Sequence, residues 1–456
     1  MVAIRPRSAS AKRSASTMCH ARLTAYQLPD WLRRRRPWRP RRTRQSAPER
    51  RAPPYDFVWE LTRTCARWFP IWTSLASSFA FRITRRVKQM LQISPTSVRS
   101  ILILQTKFIG DIVLASALAK NLQLEYPGVR IVFLCEARFA GFLTAHGIAT
   151  EVISFTRAHV RGTPLQRGRE LVRVVRALRR HRFDMTIDIT DSKTSRLVSG
   201  LVRAPIRVGH YPTERPLRWL ERQPANVRMK PFGFGEKHYI FRYLSPLEVL
   251  GVDLRIRVPT IRPLAFETTR ALALLSKYHL QPNAFLAVHA GASFPGRRWQ
   301  PERFAAAIER ISAETGLDVV LIGGPDENEA AHKIIAAAKT PVVNLVGALS
   351  LETLLALLKE ARLFVGNESG PMHMAAAAGT PVVGLFGRTN PVRWGPVGVP
   401  SISLRPSMPC DCVGGDLCRR TDSSKACCVW RLEVDAVVDA VRDLLARTEI
   451  SEEQAV

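Results

Sequence analysis

Short apolar runs alternate with stretches of helical period along most of this chain. Continuous runs of Val, Ile and Leu predict strands at 101–105, 130–135, 152–155, 185–189 and 207–209. Apolar spacings of three and four residues predict helices between them at 111–124, 165–180 and 195–202. After the Pro-punctuated segment around Pro259 and Pro263 the alternation restarts, with strands at 285–289, 318–322, 342–345, 363–365 and 382–386 and helices at 301–315, 327–338, 351–359 and 371–378. An amphipathic helix at 433–446 closes the series. Alternation of this kind predicts parallel sheets with helices on both faces. The expected fold class is therefore α/β, with two Rossmann-like, doubly wound halves facing a cleft, one over 99–263 and the other over 264–456.

Composition agrees and narrows the class. A chain of 456 residues with 46% apolar content is long enough for two or three domains with real cores. No run of about 18 uncharged apolar residues occurs, which excludes a polytopic membrane protein. Eight cysteines in a chain of this size do not make a disulfide-built scaffold, and reduced thiols are expected. The net charge of +30 is uneven: residues 1–98 hold 21 Lys and Arg against 4 Asp and Glu. Within this basic extension, the first 54 residues, rich in Arg, Ser and Pro, read as a disordered arm; their prolines and lack of an amphipathic period argue against a transit peptide. In 55–93, Trp68, Phe69, Ile71, Trp72, Leu75, Phe79 and Phe81 lie between basic residues, too short a stretch to span a bilayer but suited to an interfacial helix on an anionic membrane surface. The alternatives are a helix packed on the body, or a chain that begins at Met90. The arm would also attract nucleic acid through charge alone, but the body has no module of interleaved basic and aromatic residues, so no specific nucleic acid is expected.

In a parallel sheet, ligands bind beyond the carboxyl ends of the strands, which directs attention to three loops. In Lys107-Phe108-Ile109-Gly110-Asp111, Gly110 allows a tight turn, and Asp111 is either a helix cap worth about 1 kcal/mol or a general base facing the cleft. In His289 to Trp299, small residues allow close backbone approach, Ser293 offers a donor and Arg297 a forked cation for phosphate; the plain alternative is a solvated turn ending in a buried Trp299. In Gly366 to His373, Ser369 is placed to cap a helix and Pro371 lies near its first turn, leaving backbone N–H groups for an anion such as a diphosphate. His373 lies on that turn as a further donor or a structural partner. Glu368 would be repelled by a diphosphate unless it meets a hydroxyl.

These segments carry a resemblance. The Ile-Gly-Asp turn within 101–127, the Gly-Ala-Ser, Arg-Arg-Trp and Pro-Glu-Arg-Phe elements of 289–304, and Asn-Glu-Ser-Gly-Pro-Met-His-Met within 365–398, followed by Thr389-Asn390-Pro391 and Arg393-Trp394-Gly395-Pro396, together resemble the lipopolysaccharide heptosyltransferases, glycosyltransferase family 9. The resemblance covers about 99–447. It implies the GT-B fold, an acceptor-binding first half, a nucleotide-sugar-binding second half, and inverting transfer of heptose from ADP-heptose to a lipid-linked saccharide such as the lipopolysaccharide inner core, the alternative being a GT-B transferase with a different donor or a glycolipid or capsule acceptor. By the same resemblance Asp111 is the base and Arg297, where the family often has Lys, holds the diphosphate and stabilises the leaving group. Ser369, Gly370 and His373 bind the diphosphate, Glu368 stands where Asp is usual, and Asp326 or Glu327 takes the ribose hydroxyls. Arg388 departs from the usual Pro. The family places such a transferase in the cytoplasm, peripheral at the inner face of the cytoplasmic membrane. No cofactor is expected beyond the donor substrate; magnesium is not indicated, because the chain has no Asp-x-Asp motif. Cys410, Cys412, Cys418, Cys427 and Cys428 match no standard zinc spacing and are read as structural thiols, a structural metal site or a redox disulfide.

Overall fold

Twelve parallel strands in two six-stranded sheets organise the chain in the computed structural model, which describes residues 97–106, 108–156, 163–210, 225–229, 237–387, 389–406 and 428–453. Residues 1–96 of the basic extension, Lys107, Arg388 and all of the cysteine cluster except Cys428 lie outside the described residues. Everything described belongs to one compact unit, Phe79–Val456.

The first half runs β1 (Ser100–Leu104), α1 (Ile109–Glu125), β2 (Arg130–Glu136), α2 (Ala140–Ala145), β3 (Glu151–Phe155), α3 (Pro164–Arg179), β4 (Met185–Asp188), α4 (Lys193–Val202), β5 (Ile206–His210), β6 (Val227–Met229) and α5 (Ile240–Leu250). The second runs α6 (Ala265–Lys277), β7 (Phe285–His289), α7 (Pro301–Thr315), β8 (Asp318–Leu321), α8 (Asn328–Ala337), β9 (Val342–Asn344), α9 (Leu351–Lys359), β10 (Leu363–Asn367), α10 (Gly370–Ala378), β11 (Val382–Leu385), α11 (Pro391–Trp394), β12 (Ser401–Leu404) and α12 (Val434–Glu453). The sheet orders are β3-β2-β1-β4-β5-β6 and β12-β11-β10-β7-β8-β9. Both are the doubly wound order, in which strand order reverses beside the first strand of each half, between β1 and β4 and between β7 and β10.

The central strands are mostly apolar, with polar residues at their ends, because helices cover both faces: β1, β4, β7, β10 and β11 are buried at every residue. Edge strands such as β9 and β12 are only partly buried, and β12, with β6, carries too little apolar signal to be read from the sequence. Helix α1 is unusual in being buried nearly all round, from Gly110 to Ala119 and again at Asn121 and Leu122. It packs against α5 of its own half and α10 of the other. One apolar cluster consequently runs from β1 and α1 into β7, α9 and α10, joining the two halves through a common core. Helix α5, unmarked in the sequence pattern, tolerates an internal Pro246: the Arg242 carbonyl that would lose its i+4 donor accepts the Ser245 hydroxyl at 2.8 Å.

Among the described residues, no helix is long and apolar enough to cross a membrane, and no group of three or more His, Cys, Asp or Glu is arranged to hold a metal ion.

Candidate active site

The two reversal points face each other across one crevice, and the helices that begin there touch. A Cβ at Gly110 would lie 2.8 Å from the His373 ring, and one at Gly370 would collide with Ile109. Glycine at both positions is what lets the amino ends of α1 and α10 approach.

On the first side, Asp111 is the third residue of α1 and is 7% exposed. Its Oδ2 accepts the Phe108 N–H at 3.3 Å, so it does cap its own helix, while its Oδ1 accepts the hydroxyl of Tyr243 from α5. Burial, then the charge of Asp111, push the Tyr243 phenol well above its ordinary range, and it stays a donor. Nearby, at the end of β4, burial raises Asp188 to about 6 although it accepts the Asp191 N–H and the Ser195 hydroxyl, each at 2.9 Å.

On the second side, Asn367 at the end of β10 knits two loops together: its amide donates to Ala290 O at 2.7 Å and its carbonyl accepts from Trp299 N at 3.0 Å. This pins the loop after β7, whose Ser293 is exposed and whose Arg297 is partly buried. Arg297 Nη1 donates to Glu368 Oε1 at 3.0 Å, and the guanidinium lies 5.1 Å from the Phe294 ring. Glu368 is 5% exposed and also accepts the hydroxyl of Thr389. Burial raises its carboxyl; Arg297 and Thr389 oppose the shift, and the negative charge of Asp111 adds to it. The close approach of Gly110 to Gly370 and His373 is what brings together the segments that carry these two carboxylates. Arg297 Nη1 is held by Glu368, while Arg297 Nε is buried without a partner among the described residues.

Ser369 stands at the N-cap of α10 but does not cap it. Its hydroxyl meets His289 Nδ1 at 3.0 Å, and His289 Nε2 meets Glu327 Oε2 at 3.1 Å. His289 thus links the Ser369 hydroxyl to the Glu327 carboxylate through its two ring nitrogens. Burial alone would push the Glu327 carboxyl up, but the hydrogen bond and charge of His289, with the Gly324 N–H and Arg298, outweigh it and hold the group low. The first N–H groups of α10 are thus left without a side-chain cap, at the positive end of a nine-residue helix. His373, on its first turn, is driven down to about 3 by burial and then by His238, and its Nδ1 is buried without a partner among the described residues. It is a neutral imidazole at physiological pH. Asp326 is exposed in the turn Pro325–Glu327, whereas Glu327 beside it folds inward against Gly291.

The crevice therefore brings Asp111, Arg297, Glu368, Ser369, Gly370 and His373 together, leaves Ser293 and Asp326 exposed at its loops, and turns Glu327 toward His289. Sequence reasoning did not assign Tyr243, His289 or Thr389. The last two lie inside quoted motifs; Tyr243 has no local signal, since the helix that carries it was not predicted.

Two doubly wound halves that meet at the loops after their first strands and at the starts of α1 and α10 have the layout of a GT-B glycosyltransferase. The family model for glycosyltransferase family 9 (heptosyltransferase) matches residues 171–412, more than half of the chain, and the chain belongs to that family. It is 25% identical over 294 residues to lipopolysaccharide heptosyltransferase 3 of Escherichia coli, covering 64% of this chain and 84% of that one. Its fold matches a family 9 glycosyl transferase from Veillonella parvula with a TM-score of 0.66 at 21% identity, covering 76% of this chain and 98% of the other. It also matches the E. coli ADP-heptose lps heptosyltransferase II with a TM-score of 0.61 at 21% identity, covering 77% and 99%. The protein is a glycosyltransferase.

Proposed function

We propose that this enzyme transfers heptose from ADP-heptose, with inversion, to a hydroxyl of a lipid-linked saccharide of the lipopolysaccharide inner core. The observation that carries the reading is the pairing of opposite chemistries across one crevice, Asp111 from the first half against Arg297 and the α10 terminus from the second. The names of the similar heptosyltransferases supply the sugar and acceptor class.

In the proposed step Asp111 takes the proton of the acceptor hydroxyl, whose oxygen attacks the anomeric carbon from the face opposite the diphosphate. The bond from the anomeric carbon to the phosphate oxygen breaks, and ADP leaves with the electron pair. Arg297 and the free N–H groups of α10 meet the charge that grows on the diphosphate. Glu368 holds Arg297 and is spent on that task, so its carboxylate is not turned on the phosphates. The step needs no cofactor beyond the donor. Asp326, exposed at its turn, is assigned to the ribose hydroxyls, and Ser293 to a loop contact with the donor. Transfer to a heptose-free lipid-linked core, followed by mass spectrometry, tests the reading: the acceptor should gain one heptose only when ADP-heptose is supplied.

The same reading puts the enzyme at the inner face of the cytoplasmic membrane, where such an acceptor is anchored. Helix α3 supports this, since Leu165 and Val172 are 64% and 47% exposed beside Arg169, Arg173 and Arg176. Co-sedimentation with phosphatidylglycerol vesicles but not with phosphatidylcholine vesicles is expected, weakened by Leu165→Glu with Val172→Glu. Equal binding of that variant would remove α3 from the contact.

A further inference from the structure

We propose that Tyr243 is a positioning residue for Asp111 and that, through Tyr239 and Trp394, it ties the orientation of that carboxylate to the nucleotide-binding half. The proposal rests on Asp111 being the base.

The contacts form a continuous path. Tyr243 is 2% exposed, and its hydroxyl donates to one oxygen of Asp111 while the Phe108 N–H holds the other. A carboxylate terminus rotates in a broad, roughly two-fold well, so donors on both oxygens are what fix its plane. One turn earlier on the same segment, the Tyr239 ring lies 5.9 Å from that of Tyr243 and stacks on Trp394 of the second half, with centroids 4.0 Å apart and planes 19° from parallel. The Tyr239 N–H donates to Arg393 O at 2.8 Å, and His238 Nε2 donates to Gly395 O at 2.9 Å. His238 is fixed in that tautomer because its Nδ1 accepts the Ile240 N–H at 3.0 Å. The start of α5 is thus docked by two hydrogen bonds and a ring stack onto 393–395.

That short stretch of the second half begins, four residues earlier, with Thr389, whose hydroxyl holds Glu368 and through it Arg297. One loop therefore reaches both ends of the reaction, the leaving-group cation through Thr389 and the base through Trp394. Separation of the two halves would break the Trp394 stack and leave Tyr243 held only by the packing of α5 within its own half, loosening the plane of the Asp111 carboxylate.

Steady-state kinetics and ADP calorimetry on the full chain test this. Tyr243→Phe keeps the ring and removes the donor; kcat is expected to fall about tenfold while donor KM and ADP affinity stay within about twofold of wild type. Trp394→Leu should lower kcat similarly and Trp394→Phe, which keeps a stacking ring, should restore most of it. The double variant Tyr243→Phe with Trp394→Leu should be no worse than the poorer single one, because both act through the same carboxylate. A wild-type kcat in Tyr243→Phe, or losses that multiply in the double variant, would overturn the proposal. Should Trp394→Leu not melt cooperatively, Tyr243→Phe in an Asp111→Asn background decides instead: no further loss supports the path and an added loss overturns it. Asp111→Asn alone separates the two readings. Wild-type turnover there removes the base assignment, whereas an inactive Asp111→Asn beside a fully active Tyr243→Phe removes only the positioning role.

Discussion

Replacing Asp111 by Asn should lower turnover at least about a hundredfold and leave ADP affinity nearly unchanged, the pattern of a lost general base. Asn is the informative choice because its carbonyl can still accept the Phe108 N–H that caps α1, so the start of the helix survives. The nucleotide contacts proposed above all come from the second half, from Arg297 to His373, and none uses Asp111 as a ligand. Single-turnover rates with saturating donor, set beside calorimetric ADP binding, separate the two effects. Normal turnover would reduce Asp111 to a helix cap, the role its contact with Phe108 already gives it.

Arg297→Ala carries the second large effect, and it lowers both ADP binding and stability. A charge-assisted contact to a diphosphate is worth about 1.5–3 kcal/mol, so ADP affinity should fall roughly tenfold to a hundredfold, and turnover further because the charge grows as the bond breaks. The same change strands Glu368, 5% exposed and left with only the Thr389 hydroxyl as a donor among the described residues. Removing one partner of a buried pair costs about 3–5 kcal/mol in stability, so the melting temperature should drop as well. Adding Glu368→Gln should recover much of that stability by taking away the orphaned charge, without returning ADP affinity. Arg297→Lys should keep part of the affinity, since it retains the charge and loses the fork. An Arg297→Ala protein that binds ADP as wild type does would take the diphosphate away from this residue.

The fold was legible in the sequence because its central strands are buried on both faces and so appear as unbroken apolar runs, separated by helices of clear period. The loops after β1, β7 and β10 were legible for a related reason: glycine, proline and polar residues crowd where a doubly wound sheet opens its crevice. What the local sequence does not encode is who pairs with whom. Ser369 has every local mark of a helix cap, yet a histidine 80 residues earlier takes its hydroxyl. Arg297 and Glu368 look like separate ligands and are partners across 71 residues. Tyr243 lies 132 residues from the carboxylate it holds, on a helix whose Pro246 reads as a breaker. Residues 1–96 of the basic extension and most of the cysteine cluster carry sequence expectations only, as they fall outside the described residues.

The most direct test of the central claim is transfer itself, run in EDTA with ADP-heptose of defined anomeric configuration and a heptose-free lipid-linked core, with the product's new linkage assigned by NMR. The account predicts ADP release, one added heptose, and an anomeric centre inverted relative to the donor, all abolished by Asp111→Asn. Retention at that centre, or transfer only from a sugar on another nucleotide, would contradict it.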